Sequence, residues 1–430
     1  MTKIQSMVLV AVVIMGALSG AAAYVLLNSN TQTGEPIRIG ICADLDNTIG
    51  KAIWRAATLA AEQVNAEGGV LGRNFTIVAQ DDDSETNADI AFASNAMTKL
   101  VTVDKADFVI SNTGLPEIFF AEEGICAQNN KIMFTVSITL DEFTQRVIDD
   151  YDQYKYFFKL YGANNTAVAA GLLDGIVALG NYSGFTKVAF LYQVYGGDNP
   201  VVEALKTSLP THGFEVVCDS RVSITAIDFT SNLETIEASG AEILVPIFVT
   251  RASVPFVREW CDRESPFIVV GILVAGGDPE FWNLSEGKCE YISTRGPMYL
   301  TNKSAAVRKD YLERWGTAIP TAFAIAPYDG IRYILPEAIK RAGNIETQAV
   351  IKALETTDVE TSMARHFVFT SSHDIMIGAA GSATPPEEYM FYGIKQWQAN
   401  MTYVPVVPEY LMKEAGATYK FPSWQGPWNK

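Results

Sequence analysis

Ile37-Arg38-Ile39-Gly40-Ile41-Cys42, then Lys51 to Glu67, then Gly68-Gly69, then Phe75-Thr76-Ile77-Val78-Ala79: this succession decides the fold. The first run is short and rich in β-branched residues, which fit a pleated, buried strand. Between Lys51 and Glu67 the residues Ala52, Ala56, Leu59, Ala60 and Val64 recur close to one face of a 3.6-residue period, so that stretch reads as a helix. The glycine pair stops it, because glycine takes up the left-handed conformation at a helix end without strain. The second apolar run then reads as a strand ending in Asp81-Asp82-Asp83. Strand, helix and strand at this spacing form a parallel pair joined by a crossover.

The same alternation continues outward. Asp89 to Leu100 reads as helix, Phe108-Val109-Ile110 as strand, Leu115 to Asn129 as helix and Ile132-Met133-Phe134-Thr135 as strand. A second series follows, with strands at Lys187–Tyr192, Phe214–Val217, Ile243–Phe248 and Phe267–Val270 and helices at Pro200–Leu209 and Val254–Arg263. Ser304 to Trp315 and Phe323 to Arg341 read as long helices, and Phe367–Phe369 and Tyr389–Trp397 as strands that return the chain to each lobe. The expected class is α/β, with two doubly wound parallel-sheet lobes joined by a hinge of several crossings and an N-terminal hydrophobic anchor helix. The expected division is 1–28 as signal or anchor, 29–35 as linker, 36–160 with 298–372 as lobe one, and 161–297 with 373–430 as lobe two. In such sheets ligands sit outside the carboxyl ends of the strands, and a multiply crossed hinge lets two lobes close on one.

Composition narrows the function. The 430 residues are enough for two cored domains, and 48% apolar with 19% charged residues argues against disorder. The net charge of −17, with no basic run, leaves nucleic acid without a footprint, so no nucleic-acid partner is expected. Met7 to Leu27 carries no charge and, at about 1.5 Å per residue, is long enough for a hydrocarbon core. It reads as an uncleaved anchor placing the chain on the outer face of the plasma membrane; the alternative is a secretory signal cut near Ala21-Ala22-Ala23. Six Asn-x-Ser/Thr acceptors (Asn74, Asn164, Asn181, Asn283, Asn302 and Asn400) suit a glycosylated exterior and fit an archaeal surface better than a bacterial periplasm. The five cysteines form no CxxC and only three histidines exist, so no metal cluster and no cofactor is expected; Cys261 with Cys289 is the first candidate disulfide, against buried free thiols. Consecutive side chains on a strand alternate faces, so Asp81-Asp82-Asp83 reads as a solvated strand end. No nucleophile elbow, zinc-protease or phosphate-loop motif occurs, so no enzyme is expected.

The segment Leu59 to Arg73, ending Asn65-Ala66-Glu67-Gly68-Gly69-Val70-Leu71-Gly72-Arg73 and followed by a strand and Asp81-Asp82, resembles the opening of branched-chain amino acid (Leu/Ile/Val) binding proteins. These are type I periplasmic binding proteins, the substrate-binding subunits of ABC transporters. Asp107–Ile110, Glu123-Gly124-Ile125, Ser137-Ile138-Thr139, Tyr192–Gly196 and Gln396-Trp397-Gln398 extend the resemblance over roughly 36–425. It implies amino acid transport, with an ABC permease as partner. Hydroxyls and backbone N–H groups would hold the ligand carboxylate at Ser111, Asn112, Thr113 and Gly114 and at Ser137, Ile138 and Thr139. It also implies that Tyr195 closes from lobe two, that Trp54 covers the apolar part, and that Phe248 lies near the ligand. One departure matters: where the family places an acid for the ligand ammonium, this chain has Gly271-Ile272-Leu273-Val274-Ala275. Asp278, Asp46 or Asp44 would have to replace it, or the ligand has no ammonium; Arg251 is then a candidate for an anionic group. The expected function is an extracellular solute-binding protein for an amino acid or a related amide or carboxylate. The alternatives are a ligand-sensing ectodomain and a self-assembling surface-array or filament subunit, which the C-terminal Tyr419, Phe421, Trp424 and Trp428 keep open.

Overall fold

The computed structural model describes residues 34–84, 87, 89–194, 199–299, 301–320, 322–379 and 383–429. The expected anchor and Tyr195 lie outside the described residues. No described helix is long and apolar enough to cross a membrane.

The first half runs β1 (Ile37–Ala43), α1 (Thr48–Ala66), β2 (Phe75–Asp81), α2 (Ile90–Thr102), β3 (Phe108–Asn112), α3 (Pro116–Gln128), β4 (Ile132–Thr135), α4 (Asp141–Asp149), α5 (Tyr151–Tyr154) and β5 (Phe157–Lys159). The strands form a parallel sheet in the order β2-β1-β3-β4-β5. Alternation splits its side chains: Ile37, Ile39, Ile41 and Phe108 face α1, while Cys42, Val109 and Met133 face α2 and α3. Each fully buried Ile or Leu there contributes roughly 1.5–3 kcal/mol. Asn47 caps α1 by accepting from the Gly50 N–H at 2.8 Å, one of the helix-start donors that would otherwise lack a partner.

The second half continues α6 (Asn165–Ser183), β6 (Lys187–Gln193), α7 (Pro200–Ser208), β7 (Glu215–Val222), α8 (Thr230–Ala238), β8 (Ile243–Phe248), α9 (Ser253–Asp262), β9 (Ile268–Leu273), α10 (Phe281–Leu284) and β10 (Ser293–Pro297). The chain then adds α11 (Lys303–Trp315), α12 (Ala322–Asp329), α13 (Leu335–Ala342), α14 (Thr347–Leu354), β11 (Asp358–Val359), β12 (Phe367–Val368), β13 (Tyr392–Gln398), β14 (Thr402–Val407) and α15 (Glu409–Glu414). The second sheet has the order β14-β13-β10-β9-β8-β6-β7; it is parallel from β10 to β7, with β13 and β14 antiparallel at its edge. α11 and α12 pack against α1.

The crossings orient the lobes. β5 leaves the first sheet at its carboxyl end and β10 leaves the second at its carboxyl end, while antiparallel β13 enters beside β10 at that same end. The carboxyl ends of the two sheets therefore look toward each other. One contiguous apolar cluster runs through the crossings, joining Ile39 and Leu160 to Tyr161, Ile176 and Tyr392.

Phe323 to Arg341, expected as one helix, is broken: a π-helical turn, Gly330–Ile334, separates α12 from α13. Pro336 has no N–H to give, and its ring conflicts with the carbonyl four residues back, so the hydrogen-bond ladder widens just before it. The C-terminal aromatics pack on the second lobe, Trp424 against Trp260 at 5.0 Å and Phe421 against Phe185 at 6.2 Å.

Asp329, at the end of α12, is buried, and it accepts from Ser362 N–H at 2.9 Å within the Thr361–Met363 turn. Burial pushes its carboxyl from 3.8 up to about 7. The folded state therefore keeps a proton that the unfolded chain has released, so this contribution is full below about pH 4 and is lost as pH rises through 7. Asp329→Asn is expected to gain on the parent between pH 4 and 7, by up to roughly 1.4 kcal/mol per pH unit. Urea unfolding at several pH values reads the difference; a pH-independent difference would count against the assignment.

Candidate functional site

Lobe-one loops at the strand ends are short and internally braced. The segment after β1 curls on itself: Asp44 Oδ1 accepts from the Asp46 and Asn47 N–H groups at 3.1 and 3.2 Å, and Asp81 Oδ1 accepts from Leu45 N–H at 3.0 Å. After β3, the Thr113 hydroxyl accepts from Leu115 N–H at 3.2 Å, just ahead of Pro116, the first residue of α3. After β4, the Ser137 hydroxyl donates to the Thr113 carbonyl at 2.7 Å, which brings the two expected carboxylate loops together. Asn112 Oδ1 is buried without a partner at the same end. Gly114 is exposed and Thr139 partly exposed, whereas Ile138 is buried. Asn165 N–H donates to the Thr139 carbonyl at 2.7 Å, tying this loop to the first crossing.

Beneath these loops lies a buried acid group. The Ser111 hydroxyl points back into lobe one and donates to Glu122 Oε2 at 2.5 Å, so it is a brace for Glu122 and not a surface donor. Cys42 Sγ lies 3.3 Å from Glu122 Oε1. Burial pushes the Glu122 carboxyl up to about 8, with the charge of Asp82 adding to it, and burial raises Asp82 to about 6. Asp82 corrects the reading of the Asp triplet as a solvated strand end: it is 0% exposed, because alternation turns it inward.

In lobe two, Gln193 at the end of β6 organises three loops. Its amide donates to the Ile224 carbonyl at 3.1 Å and the Thr250 hydroxyl at 2.6 Å, and its carbonyl accepts from Val249 N–H at 2.9 Å. No motif in the sequence marks Gln193 for this part. Asp278, just past β9, is partly buried; burial raises its carboxyl, and Arg251 past β8 pulls it down. Asp278 and Arg251, two of the expected candidates for a charged ligand group, thus stand past the carboxyl ends of the neighbouring strands β9 and β8. Arg295 on β10, also missed, stacks over the Tyr392 ring at 4.0 Å beside the crossings, with Nε buried and unpartnered.

Two expected ligand residues lie elsewhere, and the expected disulfide is absent. Phe248 is fully buried against Phe256 at 5.1 Å and Phe229 at 5.5 Å; as the last residue of a strand covered on both faces, it belongs to the lobe-two core. Trp54 stands six residues into α1, about 9 Å along its axis from the helix start, and its ring lies 5.7 Å from Trp315 of α11. The disulfide is not formed: Cys261 and Cys289 are free thiols, and burial pushes the Cys289 thiol up to about 12. Of the sequons, Asn181, Asn283, Asn302 and Asn400 are exposed and Asn74 is half-buried. Asn164 is engaged at both ends of its amide, donating to Asp374 at 3.1 Å and accepting from Ala167 N–H at 2.8 Å.

The family model described as "Periplasmic binding protein" matches residues 36–380. An "Amino acid binding protein" from Pseudomonas aeruginosa is 28% identical over 198 residues, and the chain spans about half of that relative, 49% of it, using 46% of its own length. A "Leu/Ile/Val-binding protein homolog 7" from Brucella abortus is 21% identical, with 76% of this chain and 82% of that protein covered. A solved structure from Silicibacter pomeroyi, provisionally described as a branched-chain amino acid ABC transporter, superposes with a TM-score of 0.78 at 19% identity, covering 91% of this chain and all (100%) of that one. With its facing strand ends, hydroxyl-bearing loops and a family match over most of its length, the chain belongs to the periplasmic binding protein family.

Proposed function

We propose that this chain is an extracellular solute-binding protein that captures a small polar ligand, an amino acid or a related amide or carboxylate, between its lobes and delivers it to an ABC importer. The observation that carries this reading is the convergence of the β3 and β4 loops through the Ser137–Thr113 hydrogen bond, opposite the Gln193-braced loops of lobe two. Such an arrangement would give loop N–H groups and the Thr139 hydroxyl for a carboxylate on one side and a movable second wall on the other. Ligand favours the closed form only as far as it binds that form better, and the importer would recognise the closed form. Asp278 would meet a ligand ammonium, and Arg251 and Arg295 would supply positive charge to an anionic group. The apolar stretch Met7 to Leu27 would hold the chain at the outer membrane face, or direct its secretion if cut. The packing of Trp424 and Phe421 onto lobe two removes the aromatic tail as support for a surface-array role.

A thermal-shift screen of the full chain against amino acids, amides, small carboxylates and sugars tests the class. Ligand at a hundred times its Kd stabilises by about 2.7 kcal/mol. Thr139→Ala with Tyr195→Ala is then expected to weaken binding about tenfold or more, since each lost hydrogen bond removes about 0.5–1.5 kcal/mol. The melting temperature without ligand should stay nearly unchanged. Unaltered affinity in that double variant would place the site elsewhere.

A further inference from the structure

We infer that Cys42, Asp82 and Glu122 form a binding site for one thiophilic divalent cation of the zinc class, set beneath the ligand loops of lobe one. The three donor atoms come from β1, from the segment after β2 and from α3, and all lie within 4.8 Å of one another. All three residues are buried, at 0% exposure. Buried acids in folded proteins are paired with a cation or held by hydrogen bonds. Here no Lys or Arg among the described residues makes an ion pair with any of the three. Asp82 Oδ1 accepts from Ser84 N–H at 3.0 Å, and its Oδ2 is buried without a well-aligned hydrogen bond, with the Ser84 hydroxyl as its polar neighbour.

Spacing and orientation match the chemistry. A tetrahedral ion with a metal–sulfur distance of about 2.3 Å and metal–oxygen of about 2.0–2.2 Å separates sulfur from oxygen by roughly 3.5 Å; Cys42 Sγ and Glu122 Oε1 are 3.3 Å apart. The Ser111 hydroxyl holds the other oxygen, Oε2, at 2.5 Å, while Oε1 accepts from the Cys42 thiol, whose proton a bound cation would displace. That is the part an outer-shell hydrogen bond plays in fixing a metal-binding carboxylate. A thiolate and two carboxylates present the mixed sulfur and oxygen donors that zinc accepts. The ion would join β1, β2 and α3 directly under Asn112 and Thr113, so loading it would stiffen the loop between β3 and α3.

The test uses the purified full-length chain, freed of metal by a chelator under reducing conditions and titrated with Co²⁺ and then Zn²⁺. One equivalent of Co²⁺ is expected to give a near-ultraviolet thiolate-to-cobalt charge-transfer band that Zn²⁺ abolishes. The band should vanish in Cys42→Ala and persist in Cys126→Ala, a neighbouring buried thiol outside the cluster. Asp82→Asn should lower the affinity by more than about tenfold. Circular dichroism establishes that each variant is folded; if Cys42→Ala is not, Asp82→Asn decides. A folded parent that takes up neither ion, or a band that survives unchanged in Asp82→Asn, overturns the site. Neither outcome depends on which solute the cleft takes.

Discussion

Lys159→Met is expected to destabilise the protein by about 3–5 kcal/mol, the range for leaving one member of a buried ion pair without its partner. Lys159 is the last residue of β5, immediately before the first crossing, and is 0% exposed. Its ammonium lies 3.2 Å from Asp374 Oδ1, within ion-pair distance, and both charge attraction and hydrogen bonding to Asp374 favour its protonated form. Burial lowers the Lys159 pKa and Asp374 pulls it back up. Asp374 also accepts from Asn164 at 3.1 Å and from Ile375 N–H at 2.8 Å, so the pair joins β5, the start of α6 and the returning segment. Methionine fills much the same volume, so the loss reports charge and not a cavity. Lys159→Met with Asp374→Asn should recover a large part of it, because no uncompensated charge then remains. Urea unfolding at neutral pH of the parent, both single variants and the double variant closes the cycle. A Lys159→Met protein within 1 kcal/mol of the parent would mean that water reaches the pair and that it does not hold the crossing.

What the sequence disclosed followed the strength of local periodicity. α1 and β1 were readable because β-branched residues and an alanine-rich stripe agree with the fold at every level. α6 was missed because Gly171, Gly175 and Gly180 depress helix propensity. The structure shows why glycine is tolerated there: a Cβ on Gly175 would stand 2.6 Å from Ile394 Cγ1, so the helix can approach the sheet only without one. β10 was missed because Ser293-Thr294-Arg295-Gly296-Pro297 has a polar, breaker-rich composition, and pairing on both sides by β9 and β13 overrides it. For the site, hydroxyls at strand ends were legible, since chain order alone places them there. Which of them point outward was not. Ser111 near the end of β3 turns inward to Glu122 and Phe248 at the end of β8 joins the core, whereas Thr139 in the loop after β4 stays partly exposed, and only packing separates them. Cys42, Asp82 and Glu122 are about forty residues apart in succession, with no motif spacing to announce them, because their meeting is made by sheet order β2-β1-β3 and by the helix that follows β3.

Gly50→Ala is expected to remove about 3 kcal/mol, the upper part of the usual range for overpacking, and to weaken ligand binding beyond what that loss explains. Gly50 lies in the first turn of α1, where the loop after β1 folds back over the helix start. A Cβ there would stand 1.9 Å from the Asp44 carbonyl oxygen and 2.7 Å from its carbonyl carbon. Both atoms are backbone, so no rotamer change relieves the overlap and the loop itself must move. That loop is held by Asp44 accepting from two N–H groups and by Asp81 accepting from Leu45, so moving it breaks the bracing at the strand ends proposed to face the ligand. Gly124→Ala provides the contrast. Gly124 lies inside α3 with nothing within 4 Å of the added methyl, so alanine should stabilise by roughly 0.5–1 kcal/mol through helix propensity alone. Chemical denaturation ranks the two variants, and calorimetric titration with whichever ligand the thermal-shift screen finds, done well below the melting temperature, separates affinity from folding. If Gly50→Ala folded like the parent and bound ligand equally well, the close approach of helix start and loop would be refuted. If it lost stability but kept full affinity, the loop after β1 would be structural only, and recognition in lobe one would rest on the loops after β3 and β4.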